Sequence, residues 1–277
     1  MLIARTISEI ESTIVGLRAD RRPLALVPTM GALHNGHLAL VAAAKDSGAA
    51  VAASIFVNPL QFGPSEDLAR YPRDEAGDLS KLEAAGCDLA WLPTVDVMYP
   101  AGDACIITVA GPALGFEGAV RPGHFNGVAT VVAKLFGQTR ADRAFFGAKD
   151  WQQAQVIRRM VKDLCLPIQI TVVPTLRDPD GLAMSSRNRF LTEPERATAP
   201  ALHRSLLDVA ARLRAGEPPG LACERAEREL RSLGFTPDYL TLVDAESLQP
   251  IDQLGAGNRL LAGARLGSVR LLDNVEV

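Results

Sequence analysis

The sequence predicts an α/β fold, a parallel sheet flanked by helices, with a smaller α+β domain at the C-terminal end. Three observations carry this expectation. Short, wholly apolar runs alternate with periodic helical stretches through the first two-thirds of the chain. That alternation stops near Asp178-Pro179-Asp180-Gly181. Charged helices come next, and short strands after them. Fully apolar strands belong to a sheet covered on both faces, and their alternation with helices makes neighbouring strands parallel. A chain of 277 residues is long enough to build both domains.

Taken in order, the strand candidates are residues 24–27, 51–57, 89–92, 105–109, 143–146 and 168–173. Helical periodicity covers 38–45, 75–85, 127–137 and 152–164. This succession is Rossmann-like and is assigned to residues 1–177, where a ligand is expected beyond the carboxyl ends of the strands. Residues 178–277 form the second domain. Its helices are expected over 193–215 and 221–233, split by Gly216-Glu217-Pro218-Pro219-Gly220. Strands follow near 239–243, 259–264 and 269–272. The boundary falls around 175–182, and a loop over 178–188 at such a junction reads as a lid or hinge.

Composition narrows the function. Apolar residues make up 48% and charged residues 22%, ordinary for a globular protein. A net charge of −3 lacks the basic excess of a dedicated nucleic-acid binder, so no nucleic-acid partner is expected. No apolar run approaches the ~18 residues that span a bilayer, so no membrane partner is expected either. The first ten residues lack a secretory pattern. Cys87, Cys105, Cys165 and Cys223 are scattered with no C-x-x-C pair, which suits free thiols in a cytoplasm.

Three of the four histidines lie in glycine-flanked motifs, and two form one unit, Pro28-Thr29-Met30-Gly31-Ala32-Leu33-His34-Asn35-Gly36-His37. It sits where an apolar strand gives way to a helix. A helix N-terminus offers unpaired N–H groups and partial positive charge, which suits phosphate. Two imidazoles three residues apart would face the same way. A metal site or two incidental surface histidines are the other readings of H-x-x-H. Gly31 and Gly36 would let backbone approach a ligand, and no nearby acid completes a zinc set, which favours the anion site.

A second cluster is Met184-Ser185-Ser186-Arg187-Asn188. Serines here can cap a helix, as Thr192 with Glu195 does nearby. Two hydroxyls followed by a guanidinium also make a phosphate clamp. Lys149-Asp150 after a strand reads either as an exposed ion pair or as a phosphate-following ammonium. Gln61 and Gln153 carry neutral amides able to bind a hydroxy acid. His124 reads equally as a loop-fixing histidine or a pocket residue, and His203 as a surface residue.

Together the motifs point to a family. His34-x-x-His37 resembles the HIGH signature of class I nucleotidyltransferases, and Met184-Ser185-Ser186-Arg187 their KMSKS-type loop. More closely, the chain resembles the pantoate–β-alanine ligases. The matching stretches include Ser54-Ile55-Phe56-Val57-Asn58-Pro59-Leu60-Gln61-Phe62, Tyr71-Pro72-Arg73, Gly123-His124-Phe125, Phe145-Phe146-Gly147-Ala148-Lys149-Asp150 and Leu271-Leu272-Asp273-Asn274.

The resemblance implies a two-step reaction. Pantoate attacks ATP to give pantoyl adenylate and pyrophosphate, and β-alanine then displaces AMP to give pantothenate. It implies catalytic roles for His37, His34 and Lys149. ATP would lie along Met30, Gly31, Ala32, Leu33, His34, Asn35, Gly36 and His37, with Gly147, Ala148, Lys149, Asp150, Leu176, Met184, Ser185, Ser186 and Arg187. Pantoate and β-alanine would be held by Gln61, Gln153 and Asn58. Mg²⁺ would accompany ATP, with Asp78 reaching it through water, and no organic prosthetic group is implied. The family usually has Glu where this chain has Ala148, and several relatives carry an acidic pair where this chain has Gly77-Asp78. A cytoplasmic homodimer is also implied. Competing readings are a simple nucleotidyltransferase and, in a different class, a dinucleotide-binding redox protein or a non-catalytic nucleotide sensor. The redox reading lacks a G-x-G-x-x-G turn after the first strand.

Overall fold

The computed structural model describes residues 1–19, 21–64 and 66–277. Its elements begin with β1 (Leu2–Ala4), α1 (Ile7–Leu17), β2 (Leu24–Thr29), α2 (Asn35–Asp46), β3 (Ala50–Ile55), α3 (Glu75–Ala84) and β4 (Leu89–Trp91). They continue through α4 (Val95–Met98), α5 (Phe116–Val120), α6 (His124–Thr139), β5 (Arg143–Gly147), α7 (Trp151–Asp163) and β6 (Gln169–Val173). The last are α8 (Glu193–Thr198), α9 (Ala201–Arg214), α10 (Pro219–Ser232), β7 (Phe235–Asp244), β8 (Asn258–Leu266) and β9 (Val269–Glu276).

The chain divides into two compact units. The first is Met1–Ala110, Arg121–Gly147 and Val156–Pro174; the second is Gly111–Val120, Ala148–Gln155 and Thr175–Val277. The second is therefore discontinuous in sequence.

In the first unit six parallel strands run in the order β1-β4-β3-β2-β5-β6. Strand order reverses at β2, and such a switch point is where α/β sheets bind ligands. β2 pairs with β3 along its whole length, from Leu24↔Ala50 to Thr29↔Ile55. Its pairing with β5 covers only Ala25↔Arg143 and Leu26↔Ala144. Pro28, which has no N–H to give, lies beyond that last pair. Ala25, Val27, Val51 and Ala53 pack against Leu40, Val41 and Ala44 of α2, all buried. The alanines of β3 let helices close tightly on the sheet.

Residues 105–109 are not a strand. Their β-branched run suggests one, yet the Ile107 N–H donates to the Thr130 hydroxyl on α6 at 2.9 Å, and Ile106 is 67% exposed. β1 and α1 lie outside the periodic runs read from sequence. The start of α1 is nonetheless marked there, because Thr6 and Glu9 form a capping box.

The second unit holds the antiparallel sheet β7-β8-β9. One face is covered by Leu202, Leu206, Val209 and Leu213 of α9 and by Ala222, Cys223, Ala226 and Leu230 of α10. These positions recur at three- and four-residue intervals, the stripe of a one-sided helix. The single helix expected over 193–215 is two, α8 and α9, with Pro200 at the break. On the other face Phe116, Trp151 and Tyr239 pack around Val243, Leu248 and Leu261. No helix among the described residues is long and apolar enough to cross a membrane.

Candidate active site

The loop after β2 reaches α2 through two left-handed residues, Gly31 (φ +80°) and Ala32 (φ +52°). A Cβ on Gly31 would lie 3.0 Å from Asp78 Oδ2 and 3.2 Å from Ile55 Cγ2, so only glycine fits. Asp78, on α3 and 1% exposed, explains the bend. Its Oδ2 accepts the Ala32 N–H and its Oδ1 the Leu33 N–H, each at 2.7 Å. Lys81 sits 3.9 Å from the same carboxylate and donates to the Leu33 carbonyl at 2.9 Å.

That anchoring sets His34 as the N-cap of α2. His34 Nδ1 accepts the Gly36 N–H at 3.1 Å, and His37 Nδ1 accepts the His34 N–H at 3.3 Å. The rings lie 4.1 Å apart between centroids, tilted by 40°. Because each Nδ1 accepts, these partners assign the proton of each neutral ring to Nε2. The helix end thus carries two imidazoles in a fixed tautomer, each with a donor directed away from its own cap.

Next to this loop lies the one that follows β3. Asn58, 1% exposed, uses its whole side chain in holding it. Its Oδ1 accepts from the Leu60 N–H and the Tyr99 hydroxyl, at 3.2 and 2.7 Å. Its Nδ2 donates to Gln61 Oε1 and to the Gly127 carbonyl, both at 3.1 Å. Gln61 Nε2 in turn donates to Met30 Sδ at 3.0 Å, tying the two loops together. Asn58, expected to contact substrate, has every hydrogen-bonding position of its amide engaged within the protein, and it orients Gln61.

His124, the first residue of α6, holds the same loop from outside it. Its Nδ1 donates to the Gln61 carbonyl at 2.8 Å, and its Nε2 accepts from Arg121 at 3.1 Å. Arg121 also reaches both Glu66 oxygens, at 2.7 and 2.6 Å, and the Gln61 carbonyl at 3.2 Å. Of its two readings, the loop-fixing one describes these bonds. Burial works to raise the Glu66 pKa, but hydrogen bonding to Arg121 and its charge, with smaller help from the Gly63 backbone, together hold the carboxyl below its ordinary value.

In the second unit Lys149 stands in the 3-10 turn Ala148–Asp150, its ammonium 3.1 Å from the Asp150 carboxylate. Gln153 is half-buried, whereas its neighbour Gln152 is buried and structural. Gln152 accepts the Glu117 N–H at 3.0 Å and donates to the Pro112 and Gly115 carbonyls at 3.0 and 3.2 Å. Leu176 and Met184 flank the paired residues Arg177 and Ala183 of a short hairpin, and the Met184 N–H donates to the Leu176 carbonyl at 3.0 Å. Ser185 caps the 3-10 helix Ser186–Phe190 by accepting the Arg187 N–H at 3.3 Å. The hairpin is clamped by Arg177, which meets Asp273 of β9 at 2.6 and 2.8 Å. His203, read from sequence as a surface residue, is 15% exposed with Nδ1 3.4 Å from the same carboxylate.

The water-mediated cation contact expected of Asp78 does not fit this arrangement. A buried carboxylate with both oxygens on backbone amides is a loop anchor, and Mg²⁺ requires room for its own waters. Among the described residues no cluster of three or more His, Cys, Asp or Glu is arranged to hold a metal ion. These residues do not form a resident Mg²⁺ site.

A parallel sheet with a histidine-capped helix at its switch point, and a serine–arginine turn further along the chain, is the arrangement expected of a nucleotide-binding α/β enzyme. The sequence profile of the pantoate-β-alanine ligases matches residues 2–276, and the chain belongs to that family of amide-forming ligases. It is 58% identical over 278 residues to the pantothenate synthetase of Acidiphilium cryptum, covering all of both chains. Its fold is similar to the crystal structure of pantothenate synthetase from Thermus thermophilus, with TM-score 0.94, 47% identity and coverage of 100% and 99% of the two chains. A Francisella tularensis pantoate-β-alanine ligase, complexed with beta-gamma ATP and β-alanine, gives TM-score 0.83 at 34% identity, covering 100% of this chain and 97% of that one.

Proposed function

We propose that this chain condenses pantoate with β-alanine in an ATP-dependent reaction passing through pantoyl adenylate. The observation that carries the reading is the His34–His37 pair, capping α2 at the switch point with each Nδ1 accepting a backbone N–H. In the first step a pantoate carboxylate oxygen attacks the α-phosphorus of ATP. The α–β phosphoanhydride bond breaks and pyrophosphate leaves with the electron pair. In the second, the β-alanine amine attacks the acyl carbon, the bond to AMP breaks, and the amine nitrogen loses a proton as the amide forms. Both steps move charge onto phosphate oxygens, where fixed donors lower the barrier by positioning and neutralisation.

In this reading His37 and His34 donate to the phosphates and Lys149 follows the charge as a compact, mobile cation. Met30, Gly31, Ala32, Leu33, Asn35, Gly36, Gly147, Ala148, Asp150, Leu176, Met184, Ser185, Ser186 and Arg187 contact ATP. Gln61 and Gln153 bind pantoate, and Gln61 also faces β-alanine. Mg²⁺ arrives with ATP as part of the substrate. The protein works as a homodimer in the cytoplasm, without nucleic-acid or membrane partners. The free cysteines support the compartment, and the net charge of −3 the lack of a nucleic-acid partner.

The test is exchange of labelled pyrophosphate into ATP that requires pantoate, followed by AMP release on adding β-alanine. Both are expected. Exchange without amine-dependent AMP release would instead mark a simple nucleotidyltransferase.

A further inference from the structure

Within β9 two adjacent residues are polar, Asp273 and Asn274, both buried, at 5% and 4% exposure. Successive strand residues point to opposite faces. Asp273 goes to Arg177 and the 176–184 hairpin. Asn274 goes the other way, to the turn that carries Lys149.

Asn274 Nδ2 donates one proton to the Ala148 carbonyl at 2.8 Å and the other to the Lys149 carbonyl at 2.9 Å. Its Oδ1 accepts from Arg259 Nη1 at 2.7 Å. Arg259 lies on β8, diagonal to Asn274 across the pair, since Arg259 is opposite Glu276 and Leu261 opposite Asn274. The Arg259 guanidinium stacks 3.7 Å from the Trp151 ring centre, and the Trp151 indole donates to the Ala245 carbonyl at 2.7 Å. The amide of Asn274 is thus oriented from behind and pins two consecutive carbonyls that flank the Lys149 side chain.

We propose that Asn274 is a positioning residue for adenylate formation, acting through Lys149. The inference rests on the reading that Lys149 serves the phosphates of ATP. A lysine stem is flexible, so where its ammonium can reach depends on where its backbone is rooted. An asparagine that donates to both neighbouring carbonyls fixes that root. A shift of about 1 Å at a reacting group costs on the order of 100-fold in rate.

The experiment measures pantoate-dependent pyrophosphate exchange, with kcat and KM read separately, in Asn274→Ala, Asn274→Asp, Lys149→Ala and the double variants. Asn274→Asp preserves shape and the acceptor for Arg259 but turns an oxygen toward the two carbonyls. Each Asn274 variant is expected to lower kcat roughly 10–100-fold with the pantoate KM changed by less than about two-fold. In the Lys149→Ala background the same substitutions are expected to cost less than about three-fold.

Equal costs in both backgrounds, with Lys149→Ala itself severely impaired, would overturn the proposal and leave the lysine reading intact. Full activity of Lys149→Ala would overturn the lysine reading itself. Loss of a folded melting transition in both Asn274 variants would make the residue purely structural and also overturn the proposal.

Discussion

The Asp78 carboxylate meets the Leu33 amide at 2.7 Å across 45 residues of sequence. With the matching bond to Ala32, it turns a glycine-containing loop into a fixed platform for His34. Asp78→Asn keeps the shape but sets an NH₂ group against one of the two N–H donors. A cost of about 1.5–3 kcal/mol in unfolding free energy is expected, given the usual worth of hydrogen bonds to charged groups. A denaturant titration reads this directly, and a variant as stable as the parent would contradict the anchor.

His37→Ala removes both an acceptor for the cap and an Nε2 donor. Turnover is expected to fall on the order of 10²–10³-fold, as for loss of a preorganised donor, while the fold survives at a cost of about 1 kcal/mol. Circular dichroism and adenylate-formation rates measured on one sample separate the two effects. A folded variant with near-parental turnover would sink the role.

Gln61→Ala takes away the amide that Asn58 and Met30 orient. The pantoate KM is expected to rise about 10–100-fold, the loss of one or two good hydrogen bonds, with the ATP KM little changed. Steady-state kinetics with each substrate varied in turn decides it, and unchanged pantoate kinetics would count against Gln61 as a substrate contact.

Gly127 lies where α6 crosses the turn Pro59–Gln61 (a Cβ there would overlap the Leu60 carbonyl and come within 2.6 Å of Gln61 N). Backbone must therefore shift in Gly127→Ala. Overpacking of this kind destabilises by about 1–3 kcal/mol, and the displaced turn carries Gln61 with it. The expected phenotype is a lower melting temperature together with a raised pantoate KM. A variant altered in neither respect would show the turn to be more pliant than its packing implies.

Acid sensitivity is expected to centre partly on Asp273. Burial works to raise its pKa, but the neighbouring His203 ring and the paired Arg177 guanidinium together prevail and hold it below the ordinary aspartate value. A depressed carboxyl stabilises the fold above its unfolded-state pKa of about 3.9 and loses that contribution as pH falls through the lower folded value. Asp273→Asn should therefore be less stable at neutral pH and show a smaller further loss below about pH 4. Thermal melts across roughly pH 2–7 test this, and parallel curves for the two proteins would remove Asp273 from the acid response.

What the sequence disclosed, and what it hid, follows from the range of the interactions. Leu24 to Val27 and the apolar run at 51–55 declare buried parallel strands because nearly every residue in them is apolar. The H-x-x-H unit declares a helix start because its glycines and cap are contiguous. The inward turn of Asp78 to Ala32 and Leu33 is hidden, since nothing local distinguishes a buried aspartate in a first helical turn from an exposed one. Equally hidden is the N–H that the β-branched run 105–109 gives to Thr130 in place of a neighbouring strand. Asn274 stands in the sequence as the last residue of a family-like stretch, Leu271-Leu272-Asp273-Asn274, with no role attached. Two adjacent polar residues in a strand were the available hint, because one of them must face inward.

The discontinuity of the second unit has a consequence for modularity. A fragment cut at the last crossing, after Pro174, would keep the antiparallel sheet and its helices but lose Glu117, Trp151 and Gln152. Arg270 would then retain Asp238 but forfeit Glu117, and the Arg259 guanidinium would face no indole. Such a piece carries two largely buried cations each short of one partner, so it is a poor candidate for excision, fusion or exchange between proteins. The two units are better regarded as inherited together, because the smaller one is completed by peptide that the larger one's own connections supply.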